Sequence, residues 1–332
     1  VLLTVAVGWT VLVSLPGNPY LRYVWLEDTD YVKGRWIYER LHFDPTPVDV
    51  AFVGSSHTLI GVDSATVERV AAGDGPPTLH VANLALPHYG RDVDDLLTDM
   101  LLATKHPRLL VVEADYIEYR APHPAFPLIA DARDLWDAPV LVNWGLLDDI
   151  VFMGRRRFGE TLASLLGEQP RFDPGQYRGT HWSDSYRPNG RNYGQGPVRT
   201  THEDATLLAR ESVADIRDQQ QKQASDARHF GLETRYHEIY LRRLIAAAHA
   251  AGTRVVFLYL PIFGAPPRPI EADALERMAE IWTPPAAITH DPTLWGDIGH
   301  LNYAGAEQLS TWLGEKLRAR IETAAAPTPT VQ

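Results

Sequence analysis

Two short segments of the 332-residue chain, far apart in sequence, carry side chains able to make and break an ester bond. The first, Gly54-Ser55-Ser56-His57-Thr58, offers hydroxyls and an imidazole directly after an apolar run. The second, Asp297-Ile298-Gly299-His300, offers a carboxylate and an imidazole three residues apart, just before a segment of helical periodicity. A serine hydroxyl is a weak nucleophile alone. An imidazole must take its proton, and a carboxylate must hold that imidazole in the right tautomer. Asp and His three apart on a turn can set the carboxylate on Nδ1 and leave Nε2 facing a serine. Taken singly, a Gly-Ser turn and an Asp-x-x-His helix cap are common. Brought to one edge of one sheet, they make a nucleophile, a base and an orienting acid.

Other polar residues are candidates for substrate contact. His57 reads as a turn residue or a group behind the base, and His88 stands in Pro87-His88-Tyr89-Gly90. Glu113 and Asp115 follow an apolar run, and read as a solvated strand end or as a carboxylate pair of the kind that cleaves glycosides. Arg187, Asn189 and Arg191 lie in a polar, Gly-rich stretch and could meet sugar hydroxyls or an anion, or simply form a loop. The chain has no Cys, which excludes disulfides, iron–sulfur clusters, thiolate zinc sites and cysteine nucleophiles. A net charge of −11 argues against non-specific nucleic-acid binding, which needs cations to displace counterions. No His-Glu-x-x-His, Gly-Lys-Ser phosphate loop or strand–Gly-x-Gly-x-x-Gly–helix pattern occurs, so neither metal nor cofactor is expected.

The elements that must position these groups follow an alternating order. Asp49–Val53, Leu79–Leu86, Leu109–Val112 and Arg254–Leu260 read as strands, with a short fifth at Ala286–Thr289. Helices are expected over 64–72, 91–106, 234–251, 272–282 and 302–323. Asp63 is a cap for the first, and Pro107 ends the second. Residues 120–232 break the rhythm and read as an insertion of helical fragments and long loops between the third and fourth strands. The order implies an α/β fold of three layers, α/β/α, around a mostly parallel sheet. Ligands of such sheets sit beyond the carboxyl ends of the strands, which is where Ser56 and His300 fall.

Val1–Leu15 carries no charge. As a helix it would span about 22 Å, short of the roughly 30 Å apolar core of a bilayer. It reads as a transmembrane signal anchor truncated at its start. Residues 16–47 then read as a juxtamembrane connector, 48–322 as the α/β domain and 323–332 as a disordered tail.

The two chemical segments resemble the signature of the SGNH (GDSL-like) hydrolase superfamily, a flavodoxin-like α/β fold. That signature is a Gly-x-Ser loop after the first strand and an Asp-x-x-His before the last helix. Gly54-Ser55-Ser56 and Asp297-Ile298-Gly299-His300 match in type, order and position; the likeness covers about 48–116 and 253–320. It implies Ser56 as nucleophile, in preference to Ser55, with His300 as base and Asp297 as its partner. It also implies an oxyanion hole from the N–H groups of Ser56 and Ala85. Ala85 stands where the superfamily usually has Gly. Glu113-Ala114-Asp115-Tyr116 replaces its Gly-x-Asn-Asp, so Asp115 stands in place of an Asn that donates to the oxyanion. Losing one such donor costs about 2.7–4 kcal/mol of transition-state stabilisation.

The Gly-Ser-Ser form with an amino-terminal anchor is similar to the extracytoplasmic branch that assists O-acylation of cell-envelope polysaccharides. The resemblance therefore implies a membrane-anchored, periplasmic serine esterase or O-acyltransferase. Its substrate would be acyl groups, acetyl in the first place, on a glycan. Its partner would be a membrane-bound O-acyltransferase. A catalytically weak accessory protein that binds glycan, or docks on that partner, is the competing expectation, and a plain lipolytic esterase the third.

Overall fold

The computed structural model describes residues 8, 18–75, 79–118, 121–182, 202–228 and 231–325. Five strands form one sheet: β1 (Val50–Val53), β2 (Val81–Asn83), β3 (Leu109–Ala114), β4 (Arg254–Tyr259) and β5 (Glu280–Trp282). All neighbours are parallel and the order is β2-β1-β3-β4-β5. The chain leaves β1 for β2 on one side and returns to place β3 on the other. The reversal opens a crevice at the carboxyl ends of β1 and β3, the usual ligand position in such sheets. Ser56 follows β1, and Asp115 follows β3.

The central strands are apolar runs, apart from Glu113 in β3 and Arg254 at the start of β4, because both sheet faces are covered. Ala51, Val53, Leu110, Val112, Val255 and Phe257 point to one face, under Leu97 and Leu101 of α5 (Arg91–Thr104) and Leu241 and Leu244 of α10 (Leu232–Ala250). Val50, Phe52, Leu109, Val111, Val256 and Leu258 point to the other, under Val67 of α4 (Ser64–Ala72) and Leu309 and Leu313 of α13 (Tyr303–Ala325). Alternation of side chains along a strand produces these two cores.

Residues 18–47 are built into the domain. Helices α1 (Pro19–Val24) and α2 (Lys33–His42) bring Tyr23, Trp36, Ile37 and Leu41 into the first core. Arg40 donates to the carbonyls of Thr46 and Pro47, each at 2.7 Å, fixing the approach to β1. Apart from Gly8, the expected anchor Val1–Leu15 lies outside the described residues. Among the described residues no helix is long and apolar enough to cross a membrane.

The expected fifth strand is displaced. Ala286–Thr289 is a turn of helix, α12, and the strand is Glu280–Trp282, inside the stretch expected to be helical; only α11 (Ala272–Glu276) is helix there. Three residues are too few for a period to show, and Pro285, at the cap position of α12, turns the chain into that helix. The insertion contains α6 (Phe126–Ile129), α7 (Ala132–Trp136), α8 (Leu146–Leu165) and α9 (Ala205–Arg228). Helix α13 runs to Ala325, so 323–325 of the expected tail are helical, and 326–332 lie outside the described residues.

Candidate active site

The loop after β1 is held by one buried carboxylate. Glu113, near the end of β3, accepts from Ser55 N at 3.0 Å, Ser55 Oγ at 2.6 Å, Thr58 N at 2.9 Å and Thr58 Oγ1 at 2.6 Å. Ser55 also caps α3 (Ser56–Gly61), its oxygen accepting from His57 N at 3.2 Å. Ser55 is therefore occupied on both sides, and Ser56, the first residue of α3, presents the available hydroxyl. Gly54 makes the turn possible. Its φ is +153°, and a Cβ there would lie 2.5 Å from the Glu113 Cβ. Only glycine fits both limits.

The second segment is a closed turn. Trp295 and Leu301 form an antiparallel bridge, and Gly296 N donates to His300 O at 2.9 Å. Within it, Asp297 Oδ1 accepts from Gly299 N at 2.8 Å and His300 N at 2.9 Å. Its oxygens lie 2.8 and 2.9 Å from His300 Nδ1. Burial works to raise the Asp297 pKa. The hydrogen bonds and charge of His300, with those two N–H groups, outweigh it and hold the carboxyl below its ordinary value.

The two segments meet because α3 and α4 lie on α13. Ser310 of α13 accepts from Asp63 N at 2.9 Å, and Leu309 packs on Gly61. His300 Nε2 then stands 2.9 Å from Ser56 Oγ. Since the carboxylate binds Nδ1–H, Nε2 is the acceptor for the Ser56 proton. Ser56, His300 and Asp297 are all only partly buried, so the reacting oxygen is open to a ligand. In this arrangement a serine hydroxyl can act as nucleophile, with an imidazole able to serve as base and a fixed carboxylate behind it.

The remaining sequence candidates are distributed as follows. Ala85 is fully buried, and its N–H donates to Asn83 Oδ1 at 3.1 Å, so the oxyanion donor that the resemblance implies is engaged inside the fold. Ser56 N–H lies in the first turn of α3, where a helix does not use its own N–H groups. Glu113 and Asp115 are buried rather than solvated. Asp115 accepts from Tyr116 N at 2.6 Å and Tyr89 OH at 2.9 Å. Burial pushes its carboxyl up to about 6, against the pull of His57.

His57 is also buried, not an exposed turn residue. Its Nδ1 is 2.8 Å from Leu260 O, its Nε2 is 2.9 Å from Tyr89 OH, and its ring stands edge-on 5.7 Å from that of His300. His88 is exposed at φ +72°, its ring beside Tyr31 and His123. Arg187, Asn189 and Arg191 lie outside the described residues.

Sequence reasoning missed three contributors: Tyr89, which joins His57 to Asp115; Glu113 as the anchor of the Ser56 loop; and Asn83. The Asn83 amide donates to Thr58 O at 2.9 Å and Val62 O at 2.8 Å and holds the end of α3. An Asn ending an apolar strand, and a Glu in another, were the signals: buried polar groups need partners.

Comparison with protein-family models, with characterised proteins and with solved structures finds no match to the chain.

Proposed function

We propose that the protein is an SGNH-type serine acyl-ester hydrolase or O-acyltransferase. Its substrate is an acyl group, acetyl being the simplest, carried by an extracytoplasmic glycan. The observation that carries this reading is the continuous Ser56–His300–Asp297 chain, with 2.9 Å between Ser56 Oγ and His300 Nε2. Ser56 Oγ attacks the acyl carbonyl carbon as its proton passes to His300 Nε2, and Asp297 stabilises the imidazolium. The oxyanion is met by Ser56 N–H. His300 returns the proton to the departing alcohol, leaving an acyl ester on Ser56. Water or a sugar hydroxyl, deprotonated by His300, then releases the acyl group as acid or new ester. The uncharged Val1–Leu15 segment supports anchoring at the periplasmic face of a membrane, beside a membrane-bound O-acyltransferase as partner. No cofactor enters the mechanism.

One observation favours a second reading, an accessory protein of low catalytic power. The Ala85 N–H is already bonded to Asn83, and no Asn donor stands at position 115. A fluorophosphonate probe separates the two. On the enzymatic reading it labels the wild type and not Ser56→Ala. Equal labelling of both removes Ser56 as nucleophile. Full support of glycan acylation in cells by Ser56→Ala and His300→Ala would favour the accessory role.

A further inference from the structure

Helix α8 is built inside out. At 3.6 residues per turn, Leu147, Val151, Phe158, Leu162 and Leu165 fall within an arc of about 60°. That arc faces solvent: Leu147 is 75% exposed, Phe158 61% and Leu165 79%. The opposite side, which packs on the fold, carries Asp149, Arg156, Arg157 and Glu160, all buried. Glu160 pairs there with Arg156 at 3.1 Å and Arg157 at 2.9 Å, while Arg156 donates to Pro127 O at 2.7 Å. A helix of a water-soluble surface has the reverse polarity. The apolar exposure continues before and after the helix, with Trp144 78%, Leu141 93% and Leu166 73% exposed. An apolar patch of this extent marks a contact surface.

Its position says what covers it. Asn18 Nδ2 donates to Pro170 O at 3.0 Å, five residues beyond the end of α8, and Gly159 of α8 packs on the Trp25 ring. Asn18, which follows the uncharged Val1–Leu15 segment in the sequence, therefore stands beside the carboxyl end of α8. At 1.5 Å per residue the helix is about 30 Å long, a length suited to lying along a membrane surface with its apolar face among the acyl chains. Trp144 sits at one end, and tryptophan favours the boundary between headgroups and hydrocarbon. Arg155 and Asp148, both exposed, lie just outside the apolar arc at its edge, where the aliphatic stem of Arg155 lets its guanidinium reach the headgroups.

We propose that α8 lies in the membrane–water interface, with its Leu147–Leu165 stripe against the acyl chains of a phospholipid bilayer. The inference rests on the reading of Val1–Leu15 as an anchor and is independent of the chemistry at Ser56.

The absence of Cys gives a clean test. Single cysteines at Leu147, Phe158 or Leu165, and at the exposed control positions Gln221 and Glu307, are labelled with a nitrobenzoxadiazole dye in the full chain. The protein is reconstituted in phosphatidylcholine–phosphatidylglycerol vesicles and floated. The stripe labels should be quenched several-fold more by nitroxide lipids than by aqueous iodide, and the controls the reverse. Flotation with iodide-sensitive stripe labels refutes the inference and leaves the anchor standing. Stripe labels shielded from both quenchers, with a doubled mass in detergent, also refute it by assigning the face to a second copy. Failure to float refutes anchor and inference together, while the fluorophosphonate assay reports on Ser56 separately.

Discussion

Glu113 offers the sharpest test of how Ser56 is placed. Its carboxylate is the shared acceptor for two N–H groups and two hydroxyls of the loop that carries Ser56. Glu113→Ala removes all four. The hydroxyls can turn to other acceptors, but the N–H groups of Ser55 and Thr58 remain buried, at about 1–3 kcal/mol each. With the cavity added, the loss is about 4 kcal/mol or more, a large part of the 5–15 kcal/mol typical of a domain.

Glu113→Gln is a much milder change. Its carbonyl oxygen can replace Oε2 and keep Ser55 N, Thr58 N and Thr58 Oγ1, while its amide faces a Ser55 hydroxyl able to turn and accept. Only charge assistance is lost, about 1–2 kcal/mol. Differential scanning fluorimetry and the rate of fluorophosphonate labelling read both consequences. The Ala variant should melt lower by about 5–10 °C. It should label about 100-fold more slowly, the usual effect of moving a reacting atom by 1 Å. The Gln variant should stay within about tenfold of the wild type, since its hydrogen-bond pattern survives. Wild-type melting and labelling in Glu113→Ala, or equal damage from both substitutions, would refute the reasoning.

Asp297→Asn should leave the melting temperature nearly unchanged. It should slow labelling by about 10⁴-fold, because the amide stabilises the wrong His300 tautomer. Ser55→Ala should lower stability by about 2–4 kcal/mol, since it removes a helix cap and the buried hydrogen bond to Glu113 together, yet leave Ser56 labelled; a silent Ser55→Ala protein would reassign the nucleophile. Gly54→Ala places a Cβ 2.5 Å from Glu113 Cβ at a φ of +153°, so its denaturation midpoint should fall well below that of the wild type.

Stability should also depend on pH, with a definite sign. Burial raises the carboxyls of Asp115 and Asp94 to about 6 and of Asp92 to about 7, so the folded state holds protons that the unfolded chain has released. Those groups cost stability as pH rises from about 4 through 6–7. Asp297, Glu118 and Asp131 are shifted down, and their contribution is lost as pH falls below about 4. The melting temperature should therefore be higher at pH 5 than at pH 8 and fall again at pH 3; a flat or inverted profile would contradict the assignment.

The parts of the fold legible in the sequence are those with long or repeated patterns. Val50–Val53, Leu109–Val112 and Val255–Tyr259 are continuous apolar runs because both sheet faces are covered, and α5 shows one clean apolar side. The edge strand Glu280–Trp282 was hidden by its brevity. Residues 18–47 looked like a connector because their aromatics show no single period, although Trp36 and Ile37 are core residues. At the site, Ser56, Asp297 and His300 were readable because each lies beside an element boundary that the sequence marks. Glu113, Asn83 and Tyr89 were not, since their roles come from contacts made across the sheet.

Those contacts bear on the chemistry through a proton count. An isolated carboxylate at position 115 would repel a developing oxyanion, but Asp115 is not isolated. Leu260 O can only accept, so His57 Nδ1 carries a hydrogen. The Tyr89 oxygen lies 2.9 Å from both His57 Nε2 and Asp115 Oδ2, and Tyr89 has a single proton to give. If Tyr89 donates to Asp115, the phenol oxygen is left to accept from the His57 side. If Tyr89 donates to His57, Asp115 holds the proton and passes a hydrogen bond to the phenol oxygen. The elevated Asp115 pKa, about 6, favours the arrangement with the protonated carboxyl at mildly acidic pH. The Tyr89 hydrogen bond and the raised Asp115 pKa lessen the electrostatic objection to acyl chemistry at Ser56, and the missing hydrogen-bond donor remains the substantive difference from the SGNH pattern.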